Sequence, residues 1–187
     1  MDIWTIGHST RTIDDLIRLL QAHAIQLVAD VRRYPASRRY PHFNQAPLAE
    51  ALAKNQIDYV HFPELGGRRS PRKNSPNTAW RVEAFRGYAD YMMTQQFAQG
   101  IERLLELPAQ KRTTLLCAEA VWWRCHRALI ADYLKAGGHT VSHILGLDKT
   151  ESHPFTSAAH VVNGKLSYEA RNESPELDLS SSGKSSP

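Results

Sequence analysis

Short apolar runs alternate with stretches of helical periodicity along most of this 187-residue chain, and no other feature narrows its possible folds so far. Residues 3–6 read as a buried strand that Gly7-His8-Ser9-Thr10 brings to an end. Ile13, Leu16, Ile17, Leu19 and Leu20 then recur on one helical face. Thr12, just ahead of Asp14 and Asp15, is placed to cap that helix, because its side-chain oxygen can accept from free backbone N–H groups and early carboxylates suit the helix dipole. Further strands are expected over 25–31, 57–62, 112–116 and 139–145. Helices are expected over 47–54, 80–91, 95–107 and 122–136, with Pro47 at a first helical position and Gly137-Gly138 as the final stop. Strands and helices that alternate in this way pack as a mostly parallel sheet covered on both faces. The expected fold is an α/β three-layer sandwich, and such folds take ligands at the carboxyl ends of their strands.

The length suits one domain, expected over residues 1–168. Asn163-Gly164 between two apolar pieces favours a two-residue turn, so residues 161–168 should close the domain as a small hairpin. From 169 to 187 the chain is rich in Ser, Pro and Glu with little apolar content, and a disordered tail is expected. No apolar run approaches the roughly 20 residues of a membrane helix. The start of the chain enters a strand pattern directly, without a basic leader, and the two cysteines are too few for a disulfide framework. Both observations point to a reducing cytoplasm.

A formal net charge of +4 is a modest pointer to anionic partners, and its distribution says more. Arg32, Arg33, Arg38 and Arg39 fall in one Pro- and Ser-containing stretch, and Arg68, Arg69, Arg72 and Lys73 in another that holds Gly66-Gly67. Both should be loops. Two basic loops flanking a helix–strand pair suit a phosphate-bearing ligand, although single surface arginines are ordinary.

The densest chemistry lies over 117–127, where Cys117, Glu119, Arg124, Cys125, His126 and Arg127 follow an apolar strand. At this point the chain resembles the bacterial family called domain of unknown function 488. The likeness is carried by Thr5-Ile6-Gly7-His8-Ser9, Asp30-Val31-Arg32 with Pro35, Ser37 and Arg38, Leu65-Gly66-Gly67, residues 85–92, Cys117-Ala118-Glu119 and Cys125-His126-Arg127, up to about residue 168. The resemblance implies no established reaction.

Three readings of the residues compete. In one, Glu119 is the catalytic carboxylate, tuned by desolvation against neighbouring arginine, with Asp30 as a second carboxylate. A structural ion pair of Glu119 with Arg124 or Arg127 is the plain alternative. In another, Cys117 or Cys125 is a thiolate, and Cys125 gains reactivity from the first turn of a helix beside Arg124 and His126. Cysteine is equally at home as a small buried hydrophobe, and the eight-residue spacing matches no redox loop. In the third, Cys117, Cys125 and His126, with His8 as a further candidate ligand, hold a metal, but no paired ligand motif of zinc spacing is present and no metal is assigned. Adjacent Trp122 and Trp123 cannot both face inward from one helix, so one should line the cleft or pack under a loop.

The sequence therefore reads as an enzyme acting on an anionic substrate, a nucleic acid or nucleotide, by hydrolysis or transfer at a sugar or phosphate bond. Glu119 leads as the catalytic group, with Cys117, Cys125, His126 and Asp30 assisting. His8, Ser9, Thr10, Arg32, Ser37, Arg38, Arg68, Arg124 and Arg127 are the substrate-binding candidates. A non-catalytic nucleic-acid-binding module and a thiol- or metal-dependent enzyme built on Cys117, Cys125 and His126 are the alternatives. No cofactor is specified.

Overall fold

A computed structural model describes residues 1–170 of the chain. Six strands form one sheet in the order β3-β2-β4-β1-β5-β6. They are β1 (Asp2–Gly7), β2 (Leu27–Asp30), β3 (Asp58–His61), β4 (Thr113–Cys117), β5 (Thr140–Gly146) and β6 (Lys149–Ser152). The first five are parallel, and β6 pairs antiparallel with β5 at the edge. The α/β sandwich expected from the sequence is the fold observed.

Five α-helices cover the sheet: α1 (Ile13–Ala22), α2 (Gln45–Lys54), α3 (Glu83–Met92), α4 (Gln95–Leu105) and α5 (Arg127–Ala136). Period-two alternation sends neighbouring strand residues to opposite faces. Val28 and Leu116 pack with Leu16, Leu20, Leu48 and Leu52 of α1 and α2. Ala29, Leu115 and Cys117 pack with Tyr88, Phe97, Ile101, Leu104, Leu129 and Ile130 of α3, α4 and α5. Thr12 caps α1 as expected, its Oγ1 accepting from the Asp15 N–H at 3.1 Å.

Four details depart from the sequence reading. Helix α5 begins at Arg127, since Trp122–Arg124 is a 3-10 turn and Cys125 is extended, at φ −129° and ψ 145°. Helix α3 begins at Glu83 rather than at residue 80, and α2 begins at Gln45, ahead of Pro47. Strand β6 has no apolar alternation in Lys149-Thr150-Glu151-Ser152 to announce it. The hairpin forms as β7 (His160–Val162) and β8 (Lys165–Ser167), with both Asn163 and Gly164 at positive φ as a two-residue turn of this kind requires. Of the expected tail, residues 171–187 lie outside the described residues.

The order of the strands creates a switch point. From β1 the chain crosses β4 to reach β2, and from β4 it crosses β1 to reach β5, so the loops after these two neighbours diverge. A crevice at the carboxyl ends of β1 and β4 is where such a sheet takes ligands.

Candidate functional site

Strand β4 delivers Cys117 to that crevice, and the polypeptide returns through Cys125 and His126 before entering α5. Because Cys125 is extended and the Trp122–Arg124 turn precedes it, both sulfurs and the imidazole face one another. His126 Nδ1 lies 3.8 Å from Cys117 Sγ and 3.6 Å from Cys125 Sγ. All three atoms fall within 4.8 Å of one another. His126 Nε2 is 3.0 Å from the Val31 carbonyl oxygen. A carbonyl only accepts, so Nε2 carries a proton there, and Nδ1 is the ring atom turned toward the sulfurs.

Both cysteines are free and buried, Cys117 at 6% and Cys125 at 3% exposure. A hydrogen bond from Cys125 holds the Cys117 thiol well below its ordinary range against the penalty of burial, and His126 and Arg127 add to the effect. Burial, and then the neighbouring Cys117 sulfur, push the Cys125 thiol up.

Glycines make this packing possible. A Cβ on Gly67 would stand 2.8 Å from His126 Nδ1, and one on Gly66 would stand 2.5 Å from the Arg33 Cα. A Cβ on Gly7 would meet the Glu119 carbonyl oxygen at 1.7 Å. The Leu65-Gly66-Gly67 segment therefore lies directly against the imidazole, and the β1 loop directly against the β4 loop. His8 N–H donates to the Cys117 carbonyl at 2.9 Å and Ser9 N–H to the Ala118 carbonyl at 2.8 Å, which extends the β1–β4 pairing past the sheet.

The remaining sequence candidates divide into those occupied inside the protein and those facing solvent. Asp30 is fully buried and holds Arg32 through both oxygens, at 2.9 and 3.1 Å to Nε and 2.5 Å to Nη2, while Tyr59 OH donates to it at 2.7 Å. Arg32 Nη1 also donates to the Phe43 carbonyl at 2.7 Å. His8 donates from Nδ1 to the Ser9 carbonyl and stacks on Phe43 at 4.1 Å. Burial and then Arg32 lower its pKa to about 4, so it is neutral. Arg127, at 2% exposure, gives Nη1 to the Glu119 carbonyl at 2.6 Å and Nη2 to the Ala120 carbonyl at 2.9 Å. Ser37 Oγ accepts from the Tyr40 N–H and orders its own loop.

Glu119 is exposed, and among the described residues its carboxylate belongs neither to the cluster of Cys117, Cys125 and His126 nor to an ion pair with Arg124 or Arg127. The desolvation expected for it is not there, and Arg127 binds its backbone instead. Thr10, Arg38, Arg68 and Arg124 are exposed, and Ser9 is half-buried. Arg33 Nη1 donates to the Arg68 carbonyl at 2.8 Å, so the two basic loops meet beside Gly67 and His126. Trp122 is buried, and Trp123, at 53% exposure, is the one of the pair that faces outward.

A second polar assembly escaped the sequence reading. Thr5 Oγ1 meets His143 Nδ1 at 2.7 Å, His143 Nε2 meets His153 Nδ1 at 2.9 Å, and His153 Nε2 meets Asp132 Oδ1 at 3.0 Å. Tyr168 OH and Thr156 Oγ1 both donate to Asp132 Oδ2. Trp122 stacks on His143 with ring centroids 4.4 Å apart. Burial, then His153 and Arg127, lower His143 to about 3. Its members are scattered from residue 5 to residue 168, so only the fold could reveal it. A cavity of about 390 Å³ between α3, α5 and the hairpin is lined by residues such as Met92, Met93, Tyr133 and Leu166 and contains none of the site candidates.

Among the described residues no helix is long and apolar enough to cross a membrane. The model of the family described as domain of unknown function DUF488 matches residues 12–134. That segment includes Cys117, Cys125, His126 and the Leu65-Gly66-Gly67 loop; β1 with His8 and the C-terminal hairpin lie outside it. No curated protein and no solved structure matches.

Proposed function

We propose, from the premise that the chain belongs to the DUF488 family and that this family name carries no reaction, that it is an enzyme whose chemical centre is Cys117, Cys125 and His126. Its substrate in this reading is phosphate-bearing, a nucleic acid or nucleotide, and the reaction is hydrolysis or transfer at a sugar or phosphate bond. The observation that carries the reading is the convergence of two sulfurs on one imidazole nitrogen at the carboxyl end of β4. Glu119, which the sequence puts forward, gives way to these groups because it is exposed and outside the cluster.

Substrate class rests on the rim. Arg33 and Arg68 join beside His126, Arg124 and Trp123 belong to the turn that carries Cys125, and Tyr34 is 62% exposed next to Arg33. Arginines that track phosphates beside exposed aromatic rings that stack on bases are the elements of a single-stranded nucleic-acid groove. A cytoplasmic location fits two cysteines held as free thiols.

Binding of a fluorescent single-stranded oligonucleotide, followed by anisotropy at two ionic strengths, tests the rim. Affinity should fall steeply with salt, and Arg68→Ala and Arg124→Ala should each weaken binding and reduce the salt slope by roughly one. Absence of binding, or binding indifferent to salt, would sink the nucleic-acid assignment.

A further inference from the structure

Resting on the assignment of Cys117, Cys125 and His126 as the chemical centre, we propose that these three side chains form a binding site for one zinc-like divalent cation, with a fourth coordination position left for water or substrate.

The separations are those of a ligand set. A tetrahedral cation with bonds of about 2.3 Å to sulfur and about 2.0 Å to nitrogen places N and S ligands about 3.5 Å apart. The two separations observed are 3.6 and 3.8 Å, and all three atoms lie within 4.8 Å of one another. A cation can therefore enter without rebuilding the backbone. The ring is also oriented in advance: the contact from Nε2 to the Val31 carbonyl turns Nδ1 inward, as the outer partner of a metal-bound histidine does.

The surroundings agree. Gly67 leaves the Nδ1 side of the ring clear, where any Cβ would stand 2.8 Å from the nitrogen. Sulfur and imidazole donors select soft or borderline cations over magnesium or calcium. Two thiolates balance a dication. Three protein ligands, rather than four, is the number found where zinc acts on a bound water or substrate oxygen. The residues lie at positions 117, 125 and 126, a spacing that resembles no paired zinc motif, and the extended Cys125 is what brings them together.

The test uses the full chain, stripped of metal under reducing conditions and titrated with zinc against a chromophoric chelator. One equivalent should bind per chain, and Cys125→Ser and His126→Ala should each weaken binding by about 100-fold or more, beyond the cost of losing an outer partner. Glu119→Gln, outside the cluster, should bind as the wild type does. Cobalt in place of zinc should show thiolate-to-metal charge-transfer absorption that Cys125→Ser diminishes, a readout independent of turnover. Circular dichroism checks that each variant is folded. No zinc binding by the reduced wild type, or binding that folded Cys125→Ser retains in full, overturns the site. If zinc is absent but Cys117→Ser still abolishes turnover, the metal proposal fails while the sulfur centre stands. Loss of neither turnover nor zinc in Cys117→Ser removes both.

Discussion

At the scale of single residues, Asp30 shows most clearly how a strand-end carboxylate can be structural. Its oxygens are taken up by Arg32 and Tyr59 in a fully buried setting. Asp30→Asn strands the Arg32 cation and should cost about 3–5 kcal/mol in a urea unfolding measurement. A signal for this pair was present in the sequence, since residues two apart on an extended backbone share a side. What the sequence lacked was the information that Arg32 turns inward while Arg38 and Arg68 stay exposed. The glycines carry a similar lesson. Leu65-Gly66-Gly67 reads as turn chemistry, but Gly67 is there because the His126 ring occupies the space a side chain needs. Gly7→Ala, with its Cβ driven to 1.7 Å from a backbone oxygen, should destabilise by about 3 kcal/mol. A melting temperature unchanged by this substitution would mean the two loops are not in contact.

At the scale of elements, the turn before α5 is decisive. Periodicity over 122–136 is continuous enough to suggest one helix, because it does not distinguish a 3-10 turn and an extended residue from an α-helical start. Had the helix begun at Trp122, Cys125 would lie on its first turn; instead it is extended, and its sulfur meets His126 Nδ1. The second basic loop is fixed by one carboxylate on α3. Asp90 accepts from Arg72 N–H at 2.7 Å, Ser75 Oγ at 2.5 Å and Asn77 Nδ2 at 2.8 Å. Burial opposes its charge, but the bonds from Ser75, Arg72 and Asn77 prevail and lower its pKa. Asp90→Ala leaves those donors without a partner. Limited proteolysis should then cut between residues 71 and 77 while the rest of the chain resists; an unchanged digest would show that the loop is anchored elsewhere.

At the scale of the whole molecule, the chain of Thr5, His143, His153, Asp132 and Tyr168 ties β1, β5, α5 and the segment around the hairpin together. His143 stays neutral down to a pH of about 3 in the folded state, whereas an unfolded imidazole takes up its proton near 6.5. The unfolded state gains the proton first as pH falls, so stability declines from about pH 6.5 toward 3. From His143 alone the loss at pH 5 should be on the order of 2 kcal/mol, and His143→Gln should flatten this slope in urea midpoints taken at pH 7.5 and 5. The sheet and its layers were legible because periodicity is local. This network, and the neighbours of the sulfur cluster from the loops after β2 and β3, were not, because those contacts join residues that only tertiary packing brings together. The most direct test of the sulfur and imidazole centre is turnover across a panel of nucleotides and oligonucleotides by wild type, Cys117→Ser and Glu119→Gln. Wild-type turnover that falls at least about 100-fold in Cys117→Ser and persists in Glu119→Gln is the predicted result; loss in Glu119→Gln with retention in Cys117→Ser would contradict it.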